Sequence, residues 1–313
     1  MASYLGNHQF GVGIPCRGEV ILHSDNRLLE LKGGHDNMTM LLVDFSNAFN
    51  LVDRTTMVRE VRSQCPSIAR WVDFCYAKPA RLYYNEFTLY SSLDVPQGDP
   101  LGPLLSALTL HPLVCMISLQ CRLDLHTWYL DDGTLVGDTL EVSKALSIIQ
   151  SEGGSSGIHL NIKKTEIFWL VVDPRSLDDS VFPLDIGRPF IGVKLLGGSV
   201  SFDLQFCSDL IWARVDKTVT LMDVIKKLKY LQSKLLFLRS CIGVSRLYIS
   251  LRTTNPLALE SAKNLYDQQL FQFLRHIVTG DVAGFGHLQQ RIATLPMKDG
   301  GLGVYTMEDT NYY

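Results

Sequence analysis

The residues best suited to do chemistry in this chain are carboxylates. The stretch Trp128-Tyr129-Leu130-Asp131-Asp132-Gly133-Thr134-Leu135-Val136-Gly137 is an apolar run, a polar step and a second apolar run. It predicts a β-hairpin turning at Asp-Asp-Gly, because an Asp-Gly step between strand-like segments suits the tight two-residue turns. The plain alternative is a solvated turn, since Asp and Gly are ordinary turn residues. Two adjacent carboxylates repel each other, however, and these are flanked by aromatic and β-branched side chains. A divalent cation suits that setting, since Mg²⁺ takes carboxylate oxygens while keeping some of its waters. A third carboxylate, Asp44, ends the strand-length apolar run from Thr39 to Val43. If that strand neighbours the hairpin in one antiparallel sheet, Asp44, Asp131 and Asp132 meet at its edge. Such a two-metal arrangement suits in-line phosphoryl transfer, one ion activating an attacking hydroxyl and the other stabilising the leaving pyrophosphate.

The elements that must position these residues can be read in outline. Residues 1–13 look like a loop with little structure of its own, and Val20, Ser24, Leu28 and Leu31 have helical spacing that stops at Gly33-Gly34. Asp53 can cap a helix carrying Met57, Val58 and Val61. A further helix begins near Pro66, with Ile68, Trp71, Val72, Cys75 and Tyr76 facing inward. Arg81 to Tyr90 reads as a hairpin turning at Asn85-Glu86. The turn-rich segment from Val95 to Pro103 then feeds a long apolar helix, Leu104 to Cys121. After the central hairpin come a helix over Thr139–Ser151, with Leu140, Val142, Ala145, Leu146 and Ile149 buried, and a strand at Ile167–Leu170. An irregular connection, Pro174 to Pro189, leads to a short strand and turn at Val193–Gly198. Beyond Phe202 the periodicity is helical, and Asn255-Pro256 starts a helix whose stripe is Leu259, Ala262, Tyr266, Leu270, Phe273 and Ile277. Strands followed by helices predict an α+β domain with a helical C-terminal lobe.

The composition, 46% hydrophobic and 19% charged over 313 residues, is that of a globular chain with room for two domains. The apolar run Pro103–Leu119 is broken by His111 and Pro112, so no membrane span is expected. No secretory pattern opens the chain, and seven cysteines without a C-x-x-C pair fit reduced thiols. Together these predict an intracellular protein, nuclear or cytoplasmic and not secreted. The histidines lack zinc-site spacing. The net charge of −3 argues weakly against a nucleic-acid binder. Between Arg214 and Arg252, however, nine Lys and Arg residues face only Asp216 and Asp223. That segment could neutralise phosphates or form the solvated face of helices.

Four stretches then fall in series: Asp44-Phe45-Ser46-Asn47-Ala48-Phe49, Gln97-Gly98-Asp99-Pro100-Leu101, Tyr129-Leu130-Asp131-Asp132 and Leu160-Asn161-Ile162-Lys163-Lys164-Thr165. Together they closely resemble the reverse transcriptase domain of non-LTR (LINE-like) retrotransposons, of plant type. The resemblance continues through Leu195-Leu196-Gly197, Leu295-Pro296 and Gly300-Gly301-Leu302-Gly303. It implies a right-hand polymerase: an antiparallel palm sheet with packed helices, partial fingers and an α-helical thumb. Residues 1–43 would be a remnant of the fingers, 44–190 the palm with inserted fingers helices, 191–201 a primer-grip-like turn and 202–313 the thumb and C-terminal region.

The resemblance also implies roles. Asp44 and Asp131, with Asp132 beside them, would hold two Mg²⁺ ions, with Mn²⁺ able to replace them. Phe49 would lie under the incoming sugar and exclude a 2′-hydroxyl, though its position alone fits a core residue equally. Phe45 and Tyr129 would belong to the nucleotide site, and Gln97 and Gly98 to the loop beside nucleotide and template. Lys164, with Lys163 as rival, would protonate the leaving pyrophosphate. The implied partners are an RNA template, a DNA primer and deoxynucleoside triphosphates.

Departures from the family pattern are Asn50, where an aspartate is usual, and Gly102, often serine. Few residues precede Gln9-Phe10-Gly11, where the family carries basic fingers strands that grip the triphosphate. These 313 residues are expected to include neither an endonuclease region nor a cysteine-rich knuckle. The expectation is an RNA-directed DNA polymerase domain that is weak or inactive by itself. The alternative is a catalytically impaired relic that keeps the fold and some nucleic-acid binding.

Overall fold

The computed structural model describes residues 2–13, 17–91, 95, 98–280, 282 and 284–311. The chain divides into two compact units, Met1–Phe190 and Ile191–Tyr313.

In the first unit the elements are α1 (Ala2–Leu5), α2 (Arg17–Lys32), β1 (Met38–Val43), α3 (Ala48–Leu51), α4 (Arg54–Gln64), α5 (Pro66–Tyr76), β2 (Ala80–Tyr84), β3 (Phe87–Ser91), α6 (Gly102–Gln120), β4 (Leu123–Tyr129), β5 (Asp132–Asp138), α7 (Thr139–Glu152) and β6 (Glu166–Phe168). Four strands form an antiparallel sheet in the order β4-β5-β1-β6. β1 lies inside it and every residue of Met-Thr-Met-Leu-Leu-Val is buried, which is why that run does not alternate. Leu41, Trp128 and Leu135 from the sheet share a core with Leu113 and Ile117 of α6 and with Ala145 and Ile149 of α7. A second cluster packs Met57 and Val61 of α4 and Val72 and Tyr76 of α5 against Leu105 and Leu108 of α6.

The central hairpin forms, but it turns elsewhere than at Asp-Asp-Gly. Tyr129 pairs with Asp132, so Leu130 and Asp131 are the turn, and Asp132 and Gly133 already belong to β5. Gly133 answers a packing demand: a Cβ there would stand 2.5 Å from Cζ3 of the Trp128 indole, its cross-strand partner. The positive φ that a tight hairpin needs falls on Leu130 instead, at +59°.

Other expectations are corrected by tertiary contact. Residues 1–13 are not a bare loop, since α1 forms there and Gln9 bridges to Trp128. α2 buries Ile21, Leu22, Asp25 and Leu29, while Val20 and Leu31 of the expected face are exposed. On α5 only Val72 and Tyr76 are buried, and Trp71 and Cys75 are exposed, as is Leu140 on α7. α6 is long and apolar enough to cross a membrane by length and composition, contrary to the expectation from its His and Pro. Most of its apolar side chains pack instead into the two clusters just described.

The second unit opens on a ribbon of β7 (Val193–Leu195) and β8 (Gly198–Val200). It turns through Leu196 and Gly197, both at positive φ. Helices follow: α8 (Leu204–Lys226), α9 (Leu231–Ser240), α10 (Tyr248–Thr253), α11 (Pro256–Thr279), α12 (His287–Thr294) and α13 (Met307–Asn311). Asn255 caps α11, its Oδ1 accepting the Leu257 N–H at 3.0 Å. The whole expected α11 stripe is buried, in one core with Ile211, Val215 and Met222 of α8.

Candidate active site

Asp44 and the hairpin are brought together by strand register. β1 and β5 are neighbours, and their last registered pair is Val43 with Gly133, one residue before Asp44 and one after Asp132. The condition set by the sequence, adjacent strands in one antiparallel sheet, is met.

Beyond β1, the backbone carrying Asp44 is held by the segment around Leu160. The Asn161 N–H donates to Asp44 O at 2.8 Å, and the Ser46 N–H to His159 O at 2.8 Å. Phe45 bridges Leu160, and buried Thr165 turns its hydroxyl onto Asn161 O at 2.9 Å. The turn at 162–164 is therefore tied to the Asp44 backbone, with the Lys164 N–H also donating to Asn161 O. Lys163 and Lys164 are both exposed there, so the fold places the two rivals alike.

Phe45 is buried and its ring stacks on Trp128, centroids 5.9 Å apart and planes within 7°. It supports the hairpin from within the core. The Trp128 indole N–H donates to Nε2 of buried His126 at 2.8 Å, which requires a neutral ring there. Burial, reinforced by the charge of His8, lowers the His126 pKa to about 3 and keeps it neutral. Phe49 on α3 is half-buried, and its carbonyl accepts the Val95 N–H at 2.9 Å. Tyr129 is half-buried at the hairpin end. Gly98 is exposed at φ +101°, a conformation that favours glycine, and Gln97 lies outside the described residues. Next to Gly98, Asp99 accepts the Leu101 N–H at 2.8 Å and the Tyr76 hydroxyl, which anchors this turn at the start of α6.

The electrostatics of the three carboxylates are unfavourable in the bare protein. Asp131 is raised above the usual carboxylate range by desolvation and by the charge of Asp44. Asp132, which keeps part of its surface open to solvent, is raised to about 6 by desolvation and by the charges of Asp131 and Asp44. Oδ1 of Asp44 is buried and without a hydrogen-bond partner. Among the described residues no group of three or more His, Cys, Asp or Glu is assembled to hold a metal ion. That is compatible with Mg²⁺, which binds through one or two carboxylates plus substrate phosphates more often than in an all-protein cage. An orphaned carboxylate oxygen beside two mutually repelling carboxyls is what a divalent cation relieves.

One participant escaped the sequence reading. Gln9 is buried behind the turn, with its side chain on the Leu130 backbone. The only sequence signal was its place beside Phe10 and Gly11.

A model of the reverse transcriptase (RNA-dependent DNA polymerase) family matches residues 20–231, more than half of the chain. The match takes in Asp44, Asp131, Asp132 and Lys164, and the chain belongs to this family. Solved structures similar to it include telomerase from Candida albicans in complex with a TWJ fragment of telomeric RNA, at 11% identity and TM-score 0.41, covering 96% of this chain and 52% of that one. Apo telomerase from Candida tropicalis is similar at 10% identity and TM-score 0.48, covering 88% of this chain and 50% of that one. The chain thus spans about half the length of these structures. Among curated proteins no match is found.

Proposed function

We propose that this chain is the polymerase domain of a non-LTR, LINE-like retrotransposon of plant type. It would extend a DNA primer on an RNA template with deoxynucleoside triphosphates. The observation that carries this reading is the register of β1 against β5, which sets Asp44 beside the Leu130-Asp131 turn. Asp44 and Asp131, with Asp132 adjacent, would hold two Mg²⁺ ions, with Mn²⁺ able to replace them. When bound, the ions lower the pKa of the primer 3′-hydroxyl and offset charge on the leaving pyrophosphate.

The chain's own residues do the rest. Asp44 and Asp131 would supply negative charge where β1 and the hairpin end. Phe49 would floor the sugar site, with Gly98 beside the nucleotide, and Lys164 would deliver a proton to the departing pyrophosphate. The β7–β8 turn would steady the primer end, and the basic helices after Phe202 would hold the duplex.

Primer extension on poly(rA)–oligo(dT) with Mg²⁺ and dTTP tests the reading, with an Asp131→Asn/Asp132→Asn variant beside it. Extension lost in the variant supports it. A folded protein that binds the duplex but does not extend the primer would favour a catalytically impaired relic.

A further inference from the structure

The hairpin turn carries a conformational strain that its own strands do not relieve. Leu130 holds φ at +59°, a region that is strained for a non-glycine residue and persists only where its surroundings enforce it. In a two-residue hairpin the first turn residue lies outside the ladder, so its N–H and C=O must find partners elsewhere.

Both find one side chain from 121 positions upstream in sequence. Gln9 is 3% exposed. Its Oε1 accepts the Leu130 N–H at 2.8 Å, and its Nε2 donates to Leu130 O at 3.1 Å. The same Oε1 accepts the Gly11 N–H at 2.9 Å. Main chain on either side fastens the segment to β4: the Trp128 N–H donates to His8 O at 2.7 Å, and the Phe10 N–H to Trp128 O at 2.7 Å. Gly11 lies so close that a Cβ would come within 2.6 Å of Leu130 N and Cγ. Residues 8–11 thus form a short strap along β4, and the Gln9 carboxamide is its contact with the turn.

We propose that Gln9 is a positioning residue for Asp131. Leu130 is joined directly to Asp131, so the conformation that Gln9 holds at Leu130 sets how the Asp131 carboxylate is presented toward Asp44. The role rests on the polymerase reading for its purpose but not for its geometry.

The chemistry of the side chain is specific. Glutamate would still accept from the Leu130 and Gly11 N–H groups, but as a carboxylate it has no donor for Leu130 O. It would also add negative charge beside Asp131. Protonated glutamate has one donor and one acceptor oxygen, and so reproduces the carboxamide. Asparagine is one methylene short of reaching both groups.

The test compares wild type, Gln9→Ala and Gln9→Glu in the full chain. Its readouts are amide hydrogen exchange at Leu130 and Asp131, Mn²⁺ affinity and the thermal transition. In Gln9→Ala the two turn amides are expected to lose protection while the β1–β5 ladder keeps its own. Mn²⁺ should bind about 10- to 100-fold more weakly, the usual cost of removing a partner that orients a metal ligand. Gln9→Glu should match Gln9→Ala at pH 8 and recover turn protection, relative to wild type at the same pH, as its carboxyl is protonated. A Gln9→Met variant, which fills the same space with neither donor nor acceptor, keeps the idea testable even if Gln9→Ala folds poorly, since a merely space-filling role would leave the turn protected in it.

Unchanged turn protection in Gln9→Ala, or a Gln9→Glu variant indifferent to pH, would overturn the proposal. A wild type that neither binds Mn²⁺ nor extends a primer would defeat the polymerase reading instead, and the exchange data would still judge Gln9.

Discussion

Trp128 and Gly133 face each other across the central hairpin so closely that no side chain fits between them. A Cβ on Gly133 would lie 2.5 Å from Cζ3 and 2.7 Å from Cη2 of the indole. Trp128 is itself fully buried and stacked on Phe45, so it has nowhere to retreat. The two residues lock the strand that leads into Asp131 to the one that leads away from it.

Gly133→Ala is therefore expected to destabilise the first unit by about 1–3 kcal/mol, the range for overpacking a well-filled core. Chemical denaturation checks this, with Trp fluorescence reporting the shift of the indole. Equal midpoints for variant and wild type would show that the hairpin accommodates a methyl group.

The three carboxylates predict a linked response to pH and metal. Asp132, at about 6 in the folded chain against 3.8 as its ordinary value, binds more protons folded than unfolded between those pH values. Its contribution to stability therefore falls as pH rises from about 4 to about 6 and stays low above that. Mg²⁺ at 100 times its dissociation constant should return about 2.7 kcal/mol. Asp131→Asn should leave the fold intact, blunt that gain and abolish extension. The Tm at pH 8 with and without Mg²⁺ checks it, and an undiminished metal-induced rise in the variant would remove Asp131 from the site.

Asp25 on α2 is fully buried, neither of its carboxyl oxygens has a partner, and desolvation raises it to about 8. Unfolded, the group releases its proton near 3.8, so between those values the native state holds a proton the unfolded chain has lost. Stability is thus expected to fall as pH rises from about 4 to about 8. Asp25→Asn should have a higher Tm than wild type at pH 8 and a similar one at pH 4. Parallel Tm curves for the two proteins across this range would contradict the assignment.

Phe49 is half-buried on α3 and so differs from fully enclosed Phe45. As the floor of a sugar site it should discriminate by steric exclusion. Phe49→Val is expected to raise the use of ribonucleotides relative to deoxynucleotides by roughly 10-fold or more, with little change for dNTPs. Comparing kcat/KM for rUTP and dTTP in extension reactions measures it. An unchanged ratio would leave Phe49 as a packing residue.

Local signals marked most of the elements and pointed to the candidate reactive residues. Continuous apolar runs marked β1 and the long α6, Asp53 and Asn255 announced helix starts, and every residue of the α11 stripe is buried. The series of short motifs singled out Asp44, Asp131 and Asp132, because a carboxylate at one strand end gains weight only in combination with an Asp-Asp hairpin. The tertiary structure decided what depends on partners distant in sequence. It moved the turn from Asp-Asp-Gly to Leu130-Asp131, because Gly133 is claimed by the Trp128 ring. It turned α2 so that Asp25 faces inward, a choice that helical periodicity cannot see. It also enlisted Gln9, since the unpaired N–H and C=O of a strained turn accept any donor–acceptor pair that packing brings within 3 Å or so. Periodicity and propensity are properties of neighbours along the chain, whereas satisfying a buried polar group depends on neighbours in space.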